Sequence, residues 1–284
     1  MNILKKQRRL LRYLIIMAIF SLMVFYPTHE VGKEYVWAEQ GSDVEYKAIT
    51  YNIHHGKTKN GEASIQQMVS LLKKEEADFI ALQEVDRYSI RSGLNDQINI
   101  FANELEMYYV FEPNINIGVL QYGNGILSKY PILESGKITL PSSKEPRSIL
   151  WAKVMTEKGN IYLTSIHLGL AQNERINYFK AIEKFMNEIA TDHPVLIMGD
   201  FNTLPTNDAL AHLQFRVTEK LYKREIPTYQ HQEKEIQIDY IMGKGIREGF
   251  SYSIPNKASD HYPLVMKFKI DQNIKNKSGL PNLF

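Results

Sequence analysis

The stretch Met198-Gly199-Asp200-Phe201-Asn202-Thr203-Leu204-Pro205 places a carboxylate and an amide two positions apart. In extended backbone, residues two apart point to the same side. Asp200 offers a charged acceptor; Asn202 offers a carbonyl oxygen and an amide donor without charge. Such a pair suits a hard cation and a phosphate oxygen held side by side. A strand ending in an Asp–Asn turn is the other reading. Three further clusters carry chemistry of the same kind. Gln83-Glu84-Val85-Asp86-Arg87 follows an apolar run, and a carboxylate there is costly unless a cation offsets its burial. Glu84 is therefore either a metal ligand or an ion-pair partner of Arg87. His167 precedes Leu168-Gly169, where an imidazole donates a proton or a hydrogen bond to a phosphoryl oxygen, or bonds to backbone as a structural residue. Ser259-Asp260-His261 presents a carboxylate and an imidazole together. Asp239 is placed to orient that imidazole and hold its tautomer, the arrangement of an activated water.

Lesser signals surround these. Asn52, in Tyr51-Asn52-Ile53-His54-His55-Gly56, resembles Asn202 in position. Adjacent strand residues face opposite ways, so His54 and His55 read as loop residues near a rim, not as partners on one zinc. Asn124 lies between Gly123 and Gly125, which permits close backbone approach to a ligand or marks a bulge. Arg147, in the turn Glu145-Pro146-Arg147, has a planar fork able to clamp a phosphate oxygen.

Each of these residues stands at the end of an element. Apolar runs predict strands over 46–53, 78–82, 121–128, 131–140, 149–156, 160–166, 195–198 and 236–242, with a short one over 108–111. Helical spacing covers 63–75 and 96–106. It also covers 172–190, where Ile176, Phe179, Ile182, Phe185, Met186 and Ile189 share a face. The last helix reads as a crossover returning the chain to the 195–198 strand. Strand ends in α/β sheets are where ligands collect, because side chains converge where the chain leaves the sheet.

Of the 284 residues, 44% are hydrophobic and 23% charged, as in an ordinary packed protein. The absence of cysteine excludes disulfides, thiolate zinc sites and a cysteine nucleophile. Residues 1–38 differ from the rest. Lys5, Lys6, Arg8, Arg9 and Arg12 precede an apolar run over 13–26, the pattern of a signal peptide or an N-terminal membrane anchor. The positive-inside rule then places the remainder outside the cytoplasmic membrane, released after Ala38 or tethered there. The first 38 residues hold six of the 34 Lys/Arg and two of the 32 Asp/Glu, so the body is near −2 although the whole chain is +2. The body carries no global basic excess for a polyanion. A linker over 39–45, one domain over 46–270 and a polar tail over 271–284 complete the division, with a monomer expected.

The ordered set Asn52, Gln83-Glu84, His167, Gly199-Asp200-Phe201-Asn202, Asp239 and Ser259-Asp260-His261 resembles the endonuclease/exonuclease/phosphatase (DNase I-like) superfamily over residues 47–268. That group includes DNase I-like nucleases, neutral sphingomyelinases and inositol polyphosphate 5-phosphatases. The resemblance implies a four-layer α/β sandwich, two mixed β-sheets packed face to face with helices outside, and a Mg²⁺-dependent phosphoester hydrolase. It implies Glu84 as metal ligand with Asn52 and Asp260 near the ion. Asp200 and Asn202 would position water and phosphate, and His261, oriented by Asp239, would assist the attacking water. His167 would stabilise or protonate phosphoryl oxygens. Asn52, Asn124 and Arg147 make up the substrate-binding set. The residue types agree: a phosphodiester is anionic, so a hard cation must neutralise charge while a base aligns water. Oxygen-rich ligands without cysteine favour Mg²⁺ or Mn²⁺ over zinc. Three activities fit: an exported phosphodiesterase acting on lipid headgroups or small phosphoesters, a secreted or tethered nuclease, and a non-catalytic binding module.

Overall fold

A computed structural model of the chain describes residues 44–208, 210–211, 213, 225–231 and 234–271. The expected signal or anchor segment over 1–38, residues 39–43 of the expected linker and residues 272–284 of the expected tail lie outside the described residues. Among the described residues no helix is long and apolar enough to cross a membrane.

Two mixed sheets face each other. The first has six strands. Its centre is β1 (Tyr46–Asn52), parallel to β2 (Phe79–Arg87) and antiparallel to β13 (Leu264–Ile270). β3 (Tyr108–Ile117) and β4 (Leu120–Ser128) extend it beyond β2, and β12 (Ile246–Ser253) closes the other edge against β13. The second sheet has five strands in the order β11-β8-β7-β6-β5. They are β5 (Ile132–Leu140), β6 (Arg147–Thr156), β7 (Gly159–His167), β8 (Val195–Asp200) and β11 (Asp239–Lys244). A small hairpin of β9 (Tyr229–His231) and β10 (Lys234–Ile236) stands apart from both.

Three apolar layers hold this together. Between the sheets lie Ala48, Phe79, Ile126 and Met266 from one and Leu150, Val154, Leu163, Met198 and Ile241 from the other. On the outer face of the first sheet, α1 (Ile65–Glu75) contributes Met68, Val69 and Leu72, and α2 (Gln97–Leu105) contributes Ile98 and Phe101. On the outer face of the second, α3 (Arg175–Glu188) contributes Tyr178, Phe179, Ile182, Phe185 and Met186. Four layers follow, helix, sheet, sheet, helix, as the resemblance implied. The central strands are apolar on both faces, so β1, β7 and β8 read as continuous apolar runs, whereas the edge strands β3 and β5 are largely exposed or half-buried.

Several boundaries differ from the sequence reading for identifiable reasons. The inward face of α3 contains Tyr178, while Ile176 is 57% exposed and Ile189 lies at the surface. Spacing alone could not choose between neighbouring stripes. β3 runs ten residues, not four. It is an edge strand, and its register shifts between Pro113 and Ile115. An edge bulge is where a residue lacking an N–H can sit. The expected 236–242 strand begins at Asp239 instead, because Gln237 and Ile238 link it to β10.

Candidate active site

The ends of both sheets bring the carboxylates and imidazoles together. Asn52 ends β1, His167 ends β7, Asp200 ends β8 and Asp239 begins β11. Asp200 is the pivot of a row: it pairs in register with His167 on one side and with Asp239 on the other. Gly199 makes the row possible, because its φ is +153° and a Cβ there would lie 2.0 Å from Ile166 O.

Glu84 reaches this row from the opposite sheet by way of a bulge. Leu82 faces Gly125 and Val85 faces Gly123, so Gln83 and Glu84 together face Asn124. Glu84 takes a φ of +58°, a left-handed conformation that costs on the order of 1–3 kcal/mol and persists only where neighbours enforce it. A bulge re-aims a side chain in this way. The sheets are tied behind it: Gln83 Nε2 donates to Ser165 Oγ at 3.0 Å, and Ser165 Oγ donates to Leu82 O at 2.9 Å.

At the centre, Asn52 Nδ2 donates to both Glu84 Oε1 and Asp200 Oδ2, each at 3.1 Å. Asp200 Oδ1 accepts the Asn202 N–H at 2.8 Å, and Asn202 Nδ2 donates to Leu168 O at 2.9 Å. Asn202 thus engages Asp200 through its backbone, at a φ of +47°. His261 Nδ1 lies 2.9 Å from Asp239 Oδ2. His261 Nε2 is 3.7 Å and His167 Nε2 is 3.6 Å from the same Asp200 Oδ2. Ser259 secures the last loop, donating from Oγ to Asn52 O at 2.8 Å and accepting the His261 N–H at 3.2 Å. Thr228 Oγ1 accepts the Asp239 N–H at 3.0 Å.

The electrostatics follow from burial and neighbours. Burial, with Asp239 beside it, raises the Asp200 carboxyl well above the usual carboxylate range, partly offset by His261 and Asn202. Burial raises Glu84 too, against the Asn52 hydrogen bond. Burial would lower His261, but the charge and hydrogen bond of Asp239, with Asp200 and Asp260, lift it to about 10. Burial lowers His167 well below the ordinary value, and Arg147, His261 and His55 add to that.

The remaining sequence candidates are placed as follows. Asp260 accepts from Ser259 Oγ at 3.2 Å and faces His54 Nδ1 at 3.9 Å. Asn124 is buried, donating to Ser165 O at 3.2 Å. Gly123 admits a neighbouring strand, not a ligand, since a Cβ there would sit 2.1 Å from Glu112 O. Arg147 opens β6, past the turn, and its Nη1 lies 2.9 Å from His167 Nδ1. Arg87 pairs with Asp96 at 2.7 Å and leaves Glu84 unpaired by it.

One residue the sequence reading set aside reaches the centre. His54 and His55 form a tight 3-10 turn with φ of +44° and +58°, so strand alternation does not apply. His55 Nε2 lies 3.1 Å from Glu84 Oε2. The left-handed backbone that turns it inward left no mark beyond the following glycine.

A hard divalent cation fits this donor set. Glu84, half-buried, and Asp200, buried, are carboxylates sharing one neutral amide, and Asp239 Oδ1 is buried without a hydrogen-bond partner. Among the described residues, ligand atoms of Asp200, Asp239 and His261 lie within 4.8 Å of one another. This trio differs from the expected set of Glu84, Asp260 and Asn52, and His261 offers it only Nε2, because Asp239 holds Nδ1.

Comparison with known proteins agrees with the architecture. The chain is 25% identical over 248 residues to the uncharacterized protein YbhP of Escherichia coli K12, spanning 80% of this chain and 97% of that one. D. rerio TDP2 in complex with a single-strand DNA product superposes with a TM-score of 0.61 at 18% identity, covering 80% of this chain and all of that one. ANGEL2, a 2',3'-cyclic phosphatase in complex with adenosine-2',3'-vanadate, superposes with a TM-score of 0.61 at 13% identity, covering 80% of this chain and 96% of that one. The model of the Endonuclease/Exonuclease/phosphatase family matches residues 49–261. That span contains every converging side chain, from Asn52 to His261, and with this fold it establishes that the chain belongs to the endonuclease/exonuclease/phosphatase family.

Proposed function

We propose that this protein is an exported phosphoester hydrolase that works with Mg²⁺ or Mn²⁺. The observation that carries the reading is the convergence of two imidazoles of opposite character on one buried carboxylate. His167 and His261 both approach Asp200 Oδ2, one held neutral and the other held charged. Glu84, Asp260 and Asn52 would hold a divalent ion, which when bound would supply charge neutralisation of the phosphoryl oxygens. Asp200, whose proton affinity is raised, takes the proton of the attacking water. Its Asn52 and Asn202 hydrogen bonds fix the geometry of that transfer. His261, charged and oriented by Asp239, and His167, through its own N–H, donate to phosphoryl oxygens as negative charge develops. This moves the base role from His261, where the sequence placed it, to Asp200, because a paired imidazole at about 10 holds its proton at neutral pH.

The substrate class proposed is a lipid headgroup or another small phosphoester. The body near −2 supports this over a nucleic acid, whose binding rests on phosphate neutralisation by Lys and Arg. The nuclease reading stays as the alternative, given the likeness to TDP2 with its DNA product. The test is a panel with Mg²⁺, Mn²⁺ or chelator: bis-p-nitrophenyl phosphate, sphingomyelin, phosphoinositides, and duplex and single-strand DNA. Metal-dependent turnover of the first three substrate types is expected. Turnover confined to DNA establishes the alternative, and no turnover with either ion ends the hydrolase reading. Export rests on the basic block before the 13–26 apolar run. A fusion of residues 1–45 to a reporter active only outside the cytoplasm should be active, and an inactive fusion refutes it.

A further inference from the structure

Arg147 is a buried cation whose guanidinium meets an imidazole. Its Nη1 lies 2.9 Å from His167 Nδ1, and the same nitrogen lies 2.9 Å from Glu145 Oε1. A guanidinium has five N–H donors, no acceptor, and no accessible deprotonated form. The hydrogen between Arg147 and His167 therefore belongs to the arginine, and Nδ1 must present a lone pair. The ring proton is left on Nε2, the atom 3.6 Å from Asp200 Oδ2 and 4.0 Å from Glu84 Oε1. Glu145 offsets the arginine's charge, without which burying it would be costly. The groups facing His167 are Arg147 from β6, Asp200 from β8, Glu84 from β2, and His261 and His55 from their loops.

We propose that Arg147 is a positioning residue that locks His167 as the neutral Nε2–H tautomer, so that His167 gives a phosphoryl oxygen a hydrogen bond and never a proton. The second half rests on the proposed function; the tautomer does not. The two histidines then divide the work by their partners. Asp239, an acceptor, draws the ring proton of His261 to Nδ1 and stabilises a second proton on Nε2. Arg147, a donor, bars any proton from Nδ1 of His167. Both rings show an N–H at Nε2, but only His261 carries charge there. Arg147 then acts on substrate through His167.

The test is long-range ¹H–¹⁵N correlation NMR of the full chain labelled with ¹⁵N-histidine. His167 is assigned by the signal lost in His167→Gln. The expected pattern, at neutral pH with Mg²⁺ present, is a ring protonated at Nε2 with a lone pair at Nδ1, where Arg147 donates. Arg147→Met keeps the stem and removes the donors, so His167 should then populate the Nδ1–H form. Arg147→Lys keeps a donor and should preserve the pattern. An imidazolium or Nδ1–H form in the unaltered protein overturns the proposal, as does an Arg147→Met spectrum identical to it. If Arg147→Met does not fold, the unaltered protein and Arg147→Lys decide. With a turned-over substrate from the panel, Arg147→Met and His167→Ala should lower kcat by similar factors, and the double variant should lose little more. Absence of turnover in every protein would remove the hydrolase reading while the spectra still judge the tautomer.

Discussion

Asp239 Oδ2 and His261 Nδ1 are 2.9 Å apart and both residues are buried, although the chain places them 22 positions apart on a strand start and a loop. Thr228 fixes one by accepting its backbone N–H, and Ser259 fixes the other in the same way. Residues bound so closely act as a unit, and units are non-additive under mutation. His261→Ala and Asp239→Asn should each lower kcat/KM by about 10²-fold or more, and the double variant should lose little beyond the worse single. Strict additivity in a double-mutant cycle would end the paired reading.

The carboxylate of Glu84 is the charged group that Glu84→Gln removes while keeping its shape. The variant should lose several kcal/mol of transition-state stabilisation, roughly 10²–10⁴-fold in kcat/KM. Mn²⁺ affinity, read from the free-ion electron paramagnetic resonance signal, should fall with it. Unaltered activity at saturating metal would remove Glu84 from the site.

His55 supports Glu84 from the other side, with Nε2 at 3.1 Å from Oε2 and its ring 5.4 Å from that of Tyr122. Partners that orient a ligating carboxylate typically contribute about 10–100-fold in metal affinity. His55→Phe keeps the ring and removes the donor, so Mn²⁺ should bind about 10-fold more weakly or worse. His55→Gln, which retains a donor, should recover much of that. Equal affinities in both variants would reduce His55 to packing.

Stability against pH should carry the signature of His261. Its folded value of about 10 stands above the ordinary 6.5, so the folded state holds the proton more tightly. The stability this contributes is complete below about 6.5 and is lost as pH rises toward about 10. The raised Asp200 acts with the same sign from the ordinary carboxylate range upward. In chelator, thermal melts should show Tm falling across the first window, and His261→Gln should remove that fall. A Tm of the unaltered protein that stays level from pH 6.5 to 10 would contradict the assignment.

Gly199 tests the row through the backbone alone. A Cβ at 2.0 Å from Ile166 O forces β7 and β8 apart, so Gly199→Ala should cost roughly 2–4 kcal/mol, in the upper range for single substitutions. Chemical denaturation measures this directly. A loss below about 1 kcal/mol would show that the two strands yield easily.

What the sequence by itself determined is the succession of strands and helices and which chemical types stand at the ends of which strands, with the layering implied by the family resemblance of those motifs. The apolar runs leading into Gln83-Glu84, His167 and Gly199-Asp200 are local signals, because strand burial writes itself into consecutive residues. The tertiary structure decided the partnerships. Asn52 shared between Glu84 and Asp200, Arg147 against His167, and His55 against Glu84 each join elements far apart in the chain. The stripe of α3 that faces inward and the bulge at Glu84 depend likewise on what lies opposite. Local pattern constrains which way a residue points along its own strand or helix. Whether an imidazole ends beside a carboxylate or a guanidinium, and so whether it holds one proton or two, is a matter of three-dimensional distance.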